Sequence, residues 1–235
     1  MRIRGTAVAM AVAVMTGAAV VLGACGSSGS LSATQAKSLL SQAKATIDAA
    51  KAFHFTLTTA GTPQGSGTTI VGGDGDLARP DKLVGSFTVS VGGLQAAVKV
   101  AAGAGRFYAE LPFQKTYTAT DPASFGVADP AQLISPDKGL SSVLSDMQAP
   151  TSAGKTRISG ELLDVVSGSV PGRDITVLPD KDPSRPVAIK ALINPSNHQL
   201  RQVTLTGPIE TTTSSSFTVT VTNYGENVSL AIPSS

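Results

Sequence analysis

The chain has 235 residues and a net charge of +2, with 18 Lys and Arg against 16 Asp and Glu, which provides no general field for nucleic acid. Its single cysteine excludes a disulfide framework and a multi-cysteine zinc site, so the fold must be held by its core. Large core formers are scarce: no Trp, three Tyr and seven Phe stand against 24 Gly, a composition that fills an interior poorly and points to a hollow.

Arg2 and Arg4 form a positive n-region ahead of the apolar stretch Ala7 to Val21. This reads as a secretory signal peptide, too short and wrongly flanked for a lasting transmembrane helix. It ends at Leu22-Gly23-Ala24-Cys25, which resembles the lipobox of bacterial lipoproteins. In such signals the cysteine sulfur receives a diacylglyceryl group, and cleavage makes Cys25 the mature N-terminus. Residues 1–24 are therefore expected to be a lipoprotein signal peptide, and Cys25 the site of lipid attachment. Each buried methylene adds about 0.8 kcal/mol, so several acyl chains such as palmitate on one residue anchor stably. The alternative, a plain signal peptide with a chance cysteine, leaves an exported protein with an unpaired thiol. Residues 25–31 then form a tether, with Gly26 to Ser30 reading GSSGS. Loss of Arg2 and Arg4 leaves a mature chain of 211 residues with 16 basic and 16 acidic residues, long enough for one domain with a sizeable core.

Ser32 with Gln35 three residues later is a capping-box signature, and Ala36, Leu39, Leu40, Ala43, Ile47 and Ala50 follow at helical spacing. Lys37, Lys44 and Lys51 read as the solvated side of this helix, with contact to anionic headgroups as the alternative. After Ala52 the period changes to two. Phe53, Phe55 and Leu57 alternate with polar residues, as do Leu83, Phe87, Val89 and Val91, then Leu94, Ala96, Val98 and Val100, then Phe107, Ala109 and Leu111. The turn signals Arg79-Pro80-Asp81, Gly92-Gly93 and Gly103 to Gly105 are too short for anything but antiparallel connections. Leu133, Ile134, Leu140, Val143, Leu144 and Met147 predict one or two short helices closed by Pro150. Residues 155–161 predict a strand, and Leu162 to Val166 a brief helix. Strand alternation returns in Val187 to Ile193, in Val203 and Leu205, and in Phe217 to Val221. The expected fold is α+β: one antiparallel sheet, apolar on one face and packed on helices.

Fragments that look catalytic fail in detail. Gly154-Lys155-Thr156 ends like a phosphate-binding loop, but the first glycine position holds Ala149. Ser41 and Lys44 have the serine–lysine spacing of penicillin-binding enzymes without the companion motifs. Asp74-Gly75-Asp76 lacks the further oxygen ligands of a cation loop and reads as a turn or bulge. His54 and His198 have no second cysteine with which to build a metal site. No Gly-x-Ser-x-Gly elbow marks a nucleophile. The sequence reads as a non-enzyme with no cofactor, no metal and no nucleic-acid partner.

Several stretches resemble the actinobacterial LppX/LprA/LprF/LprG lipoprotein family. They are Lys51-Ala52-Phe53-His54-Phe55; the run from Asp129-Pro130 through Leu133-Ile134 to Pro136-Asp137-Lys138-Gly139-Leu140, followed by Val143 and Leu144; Thr156 to Gly160; His198-Gln199-Leu200; and Asn223 to Val228. Tyr224 stands where the family's closing motif usually has Trp, and residues 171–186 match poorly. The resemblance implies a curved antiparallel sheet, a half-barrel, wrapped on helices around a hydrophobic cavity, spanning residues 32–235. It implies binding of acylated lipids or glycolipids and their movement through the envelope from the extracytoplasmic face of the inner membrane. Some members work with a membrane efflux transporter. Val89, Val98, Phe107, Leu140 and Leu144 are the candidate cavity residues, ordinary core being the alternative for each. The competing functional readings are an envelope hydrolase, and a substrate-binding or structural lipoprotein without lipid cargo.

Overall fold

A computed structural model of the chain describes residues 30–61, 68–125, 130–176, 182–209, 214–226 and 231–233. The signal peptide, Cys25 and most of the tether lie outside these residues, as do Asp129, Asn227 and Val228 of the motifs quoted above.

Helix α1 (Ala33–Ala49) starts at the predicted capping box: Gln35 N–H donates to Ser32 Oγ at 3.3 Å, and Ser32 N–H donates to Gln35 Oε1 at 2.8 Å. The predicted stripe from Ala36 to Ile47 is buried. No glycine closes the helix. Ala50 is extended and leads straight into strand β1 (Ala52–Ala60). The open carbonyls at this end are capped from outside by Arg79, whose Nε donates to Ala50 O at 3.1 Å and whose Nη2 donates to Ile47 O at 3.2 Å.

Strands β2 (Thr68–Ala78), β3 (Lys82–Val91), β4 (Leu94–Gly103), β5 (Arg106–Glu110) and β6 (Thr118–Ala119) follow as an antiparallel meander. Two short helices come next, α2 (Pro130–Leu133) and α3 (Ser142–Ser145). A second meander then runs through β7 (Gln148–Ile158), β8 (Glu161–Pro171), β9 (Pro186–Ile193), β10 (Leu200–Gly207) and β11 (Ser215–Thr222). β11 pairs with β1, giving among the described residues one eleven-stranded sheet in the order β6-β5-β4-β3-β2-β1-β11-β10-β9-β8-β7. The β3–β4, β4–β5 and β7–β8 hairpins each turn on two residues with positive φ, namely Gly92-Gly93, Ala104-Gly105 and Ser159-Gly160. That is the type I′ geometry which matches strand twist.

The topology places the helices. β6 and β7 lie at opposite edges, so the segment joining them must travel the full width of the sheet. It carries α2, which packs on β3 and β4, and α3, which packs on α1; α1 itself lies on β7, β9 and β10. One face of the sheet is thereby covered and holds the main core. The other carries Thr56, Thr58, Thr204, Thr218 and Thr220, with a Thr204–Thr218 hydroxyl contact of 3.0 Å and a Gln202–Thr220 bond of 3.2 Å.

Four sequence expectations are corrected. The predicted strand 155–161 is cut by the Ser159-Gly160 turn, so 155–158 end β7 and Glu161 begins β8. Leu162 to Val166 belongs to β8 and is not a helix. Alternation is hidden there because both phases are apolar: Val166 joins the main core, while Leu163 and Val165 form a satellite cluster with Leu192 and Ile158. Asp74-Gly75-Asp76 is neither turn nor bulge but the middle of β2, invisible as a strand because glycine occupies the inner phase. Pro150 does not close a helix; it is buried within β7.

Glycine at those positions has a physical reason. On the covered face, Phe55 pairs with Gly75, Gly75 with Gly85, and Gly73 with Phe87. A Cβ on Gly73 would meet the Phe87 ring at 2.6 Å, and one on Gly75 would meet Val84 O at 2.7 Å and the Phe55 ring at 3.2 Å. The two rings, 6.0 Å apart, take the space that side chains on β2 would fill.

Tyr224 closes the sheet where β11 ends. Its hydroxyl donates to Leu200 O at 2.8 Å and its ring lies 6.1 Å from that of Phe53. Tyr224→Phe is expected to cost about 1 kcal/mol in a urea titration, because the ring packing remains and one hydrogen bond goes. Burial pushes the Tyr224 phenol well above its ordinary value, against a smaller lowering effect of Arg201. Since the folded value exceeds the unfolded one, the phenol's contribution is complete below the ordinary tyrosine pKa of about 10 and is lost as pH rises above it. The phenylalanine variant should therefore lose less stability than the parent between neutral and strongly alkaline pH.

Candidate functional site

The five sequence-derived candidates fall in or against the main apolar cluster. Val89 on β3, Val98 on β4, Phe107 on β5 and Leu144 on α3 are buried in the main apolar cluster, and Leu140, in the turn before α3, packs against it partly exposed. Three strands and the edge-to-edge crossover thus supply one apolar surface.

The turn carrying Leu140 is held tightly. Leu140 N–H donates to Leu133 O at 2.9 Å and Gly139 N–H to Ser135 O at 2.7 Å. Carbonyls of Leu133 and Ser135 occupy the space where a Cβ on residue 139 would stand, which accounts for glycine in the Pro-Asp-Lys-Gly-Leu segment. Thr176 Oγ1 donates to Lys138 O, joining this turn to the segment after β8.

The covered face is not sealed evenly. Toward the end where β1 begins, Phe53, Leu77, Leu83 and Ala102 are buried. Toward the opposite end, Leu57, Ile70, Phe87, Ala96 and Val219 share the core-facing phase yet keep solvent-accessible surface, as do Leu133 and Leu140 on the crossover. These side chains are half-buried, while Val89, paired with Ile70 and Ala96 at the same end, is buried. Leu57, Phe87 and Ala96 were legible in the strand alternation. Ile70 was not, because β2 itself was not.

The rejected catalytic fragments stay apart. Gly154-Lys155-Thr156 lies in β7, where Lys155 pairs with the buried Asp164. Ser41 is exposed on α1, and Lys44 donates to Asp48 Oδ2 and to Pro136 O, each at 2.6 Å. Lys37 and Lys51 are exposed, as expected of a solvated helix side. His54 Nδ1 contacts Asp76 Oδ1 at 2.9 Å across β1 and β2, on the face away from the core. His198 sits in the β9–β10 turn. Among the described residues, no group of three or more His, Cys, Asp or Glu converges as metal ligands. No described helix is long and apolar enough to cross a membrane.

The site is thus an apolar face of a single antiparallel sheet, covered by α1 and an edge-to-edge helical crossover. The chain belongs to the LppX_LprAFG lipoprotein family, whose model matches residues 35–230. It is 28% identical over 204 residues to the lipoarabinomannan carrier protein LprG of Mycobacterium tuberculosis, covering 84% of this chain and 82% of that one. It is 27% identical over 233 residues to LprG of Mycolicibacterium smegmatis, covering 94% of each. The fold is that of the crystal structures of LprF from Mycobacterium bovis (TM-score 0.69, 19% identity, 88% of this chain and 100% of that one) and of LppX from Mycobacterium tuberculosis (TM-score 0.60, 16% identity, 85% and 100%).

Proposed function

We propose that this protein is a membrane-anchored carrier that holds the acyl chains of a lipid or glycolipid in its apolar interior and carries or presents them within the cell envelope. The observation that carries this reading is the set Leu57, Ile70, Phe87, Ala96 and Val219, inward-facing yet open to solvent. The names of the LprG relatives, as carriers of lipoarabinomannan, support a glycolipid cargo here. In this reading the sheet curves as a half-barrel around the cargo, with Val89, Val98, Phe107, Leu140 and Leu144 among the lining. Cys25 anchors the body to the extracytoplasmic face of the inner membrane, and an efflux transporter is the expected membrane partner.

The mechanism is physical and the protein acts without covalent chemistry or cofactor. An acyl chain leaves a bilayer only when comparable apolar area receives it, at about 25 cal/mol per Å². The headgroup stays at the polar rim, and the tether keeps the interior near its donor.

Donor vesicles bearing a self-quenched fluorescent diacylglycerophospholipid test this. The folded protein is expected to relieve quenching in a saturable way, and a Cys25→Ser form is expected to leave the membrane fraction. Folded protein that relieves no quenching at any concentration contradicts the carrier reading.

A further inference from the structure

We infer that the end of the sheet carrying the β3–β4 turn and the β5–β6 loop is a bilayer-docking apex, separate from the Cys25 anchor. Five large apolar side chains are exposed among the described residues, and four of them lie toward this end: Val91 and Leu94 at its tip, and Leu111 and Phe113 just past Glu110, which pairs with Lys99 five residues below Leu94. The register puts them there. β3 rises to Val91, β4 descends from Leu94, and β5 rises beside β4 through the Lys99–Glu110 pair toward Leu111 and Phe113. Leu94 is 80% exposed and Phe113 wholly so.

Phe113 is also held in a left-handed backbone conformation, φ +70°, in the turn closed by Gln114 N–H donating to Leu111 O at 3.0 Å. A bulky aromatic residue rarely takes that conformation. Here it points the ring away from the body, where it gains no packing within the chain.

The occupant is a lipid bilayer, and three features select it. Exposed Lys115 and partly exposed Tyr117 follow Phe113, so an apolar tip is collared by a cation and an aromatic hydroxyl, the composition suited to a headgroup boundary. The apex occupies the same end as the solvent-accessible inner side chains Ile70 and Ala96, so a chain leaving the bilayer meets apolar surface continuously. The chain length from Cys25 to Ser30 spans about 17 Å at full extension, which keeps the body at the membrane. Choosing a bilayer over another apolar surface rests on the carrier reading; the exposure and register do not.

The test uses the mature, acylated protein in vesicles of phosphatidylglycerol and phosphatidylethanolamine. With Cys25 acylated, a single introduced cysteine takes an environment-sensitive fluorophore at Leu94→Cys, at Phe113→Cys, or at Leu162→Cys, which is exposed at the opposite end of the sheet. Labels at 94 and 113 are expected to brighten, shift to the blue and be quenched by nitroxide-bearing lipids, while the label at 162 stays as in water. Identical spectra at all three positions overturn the proposal. So does a shift at 94 and 113 that appears without lipid and grows with protein concentration, which identifies a second copy as the occupant. Because contact is read without cargo, a docked apex on a protein that carries no lipid defeats only the carrier reading. A working carrier whose apex stays in water defeats only this one.

Discussion

Replacing Arg79 by Ala is expected to lower the unfolding free energy by about 3 kcal/mol, the largest stability loss anticipated from one side chain outside the apolar core. The guanidinium stands in the β2–β3 turn and donates to Ile47 O and Ala50 O at the end of α1 and to Ile134 O just after α2. It also approaches Asp48 at 3.6 Å. Asp48 accepts in turn from Lys44 and from Ser141 Oγ, the latter at 2.6 Å. One planar fork therefore fastens the sheet to both helical segments that cover it. Removing it leaves three carbonyls without that donor and Asp48 with one fewer cation nearby. Arg79→Lys should recover less than half of the loss, since an ammonium cannot reproduce the fork. Urea unfolding of both variants reads this directly. A loss below about 1 kcal/mol for Arg79→Ala would mean that water replaces these bonds and the helices are held by apolar contact alone.

Ala96→Trp is expected to leave the thermal midpoint nearly unchanged while abolishing most lipid uptake. Ala96 lies on the inner phase of β4, beside Val89, and keeps solvent-accessible surface. If the interior beside it is open, an indole enters without displacing neighbours and occupies the volume an acyl chain needs. If the interior is filled, the same substitution overpacks it, at a cost of about 1–3 kcal/mol. A hollow predicts an unchanged midpoint with lost uptake and a filled core a lowered midpoint, so measuring both on one variant separates them. A variant that takes up lipid like the parent removes this part of β4 from the cargo path.

The sequence made some of this legible and concealed the rest for physical reasons. The capping box at Ser32, the stripe on α1 and the Gly92-Gly93 turn are local signals, and the structure realises them where they were expected. The alternation of β1, β3 and β4 was equally plain because one phase is polar. β2 escaped because Gly73 and Gly75 carry no side chain to alternate, their space being taken by Phe55 and Phe87 from neighbouring strands. β8 read as helical because Leu163 and Val165 are apolar on the phase opposite Val166. The Arg79 clamp could not be read at all, since it joins residues 29 to 55 positions apart through backbone carbonyls, which leave no mark in side-chain pattern. The five candidate residues lie in or against the main apolar cluster, where most of the core also lies. Which inner residues stay open to solvent depended on the register of all the strands together.

Native mass spectrometry of the Cys25→Ser form, secreted from an actinobacterial host and weighed before and after organic extraction, tests the central claim most directly. The carrier reading predicts added mass that disappears on extraction and whose fragments contain fatty acyl chains. A bare protein mass, under conditions in which a known lipid carrier keeps its cargo, would contradict it.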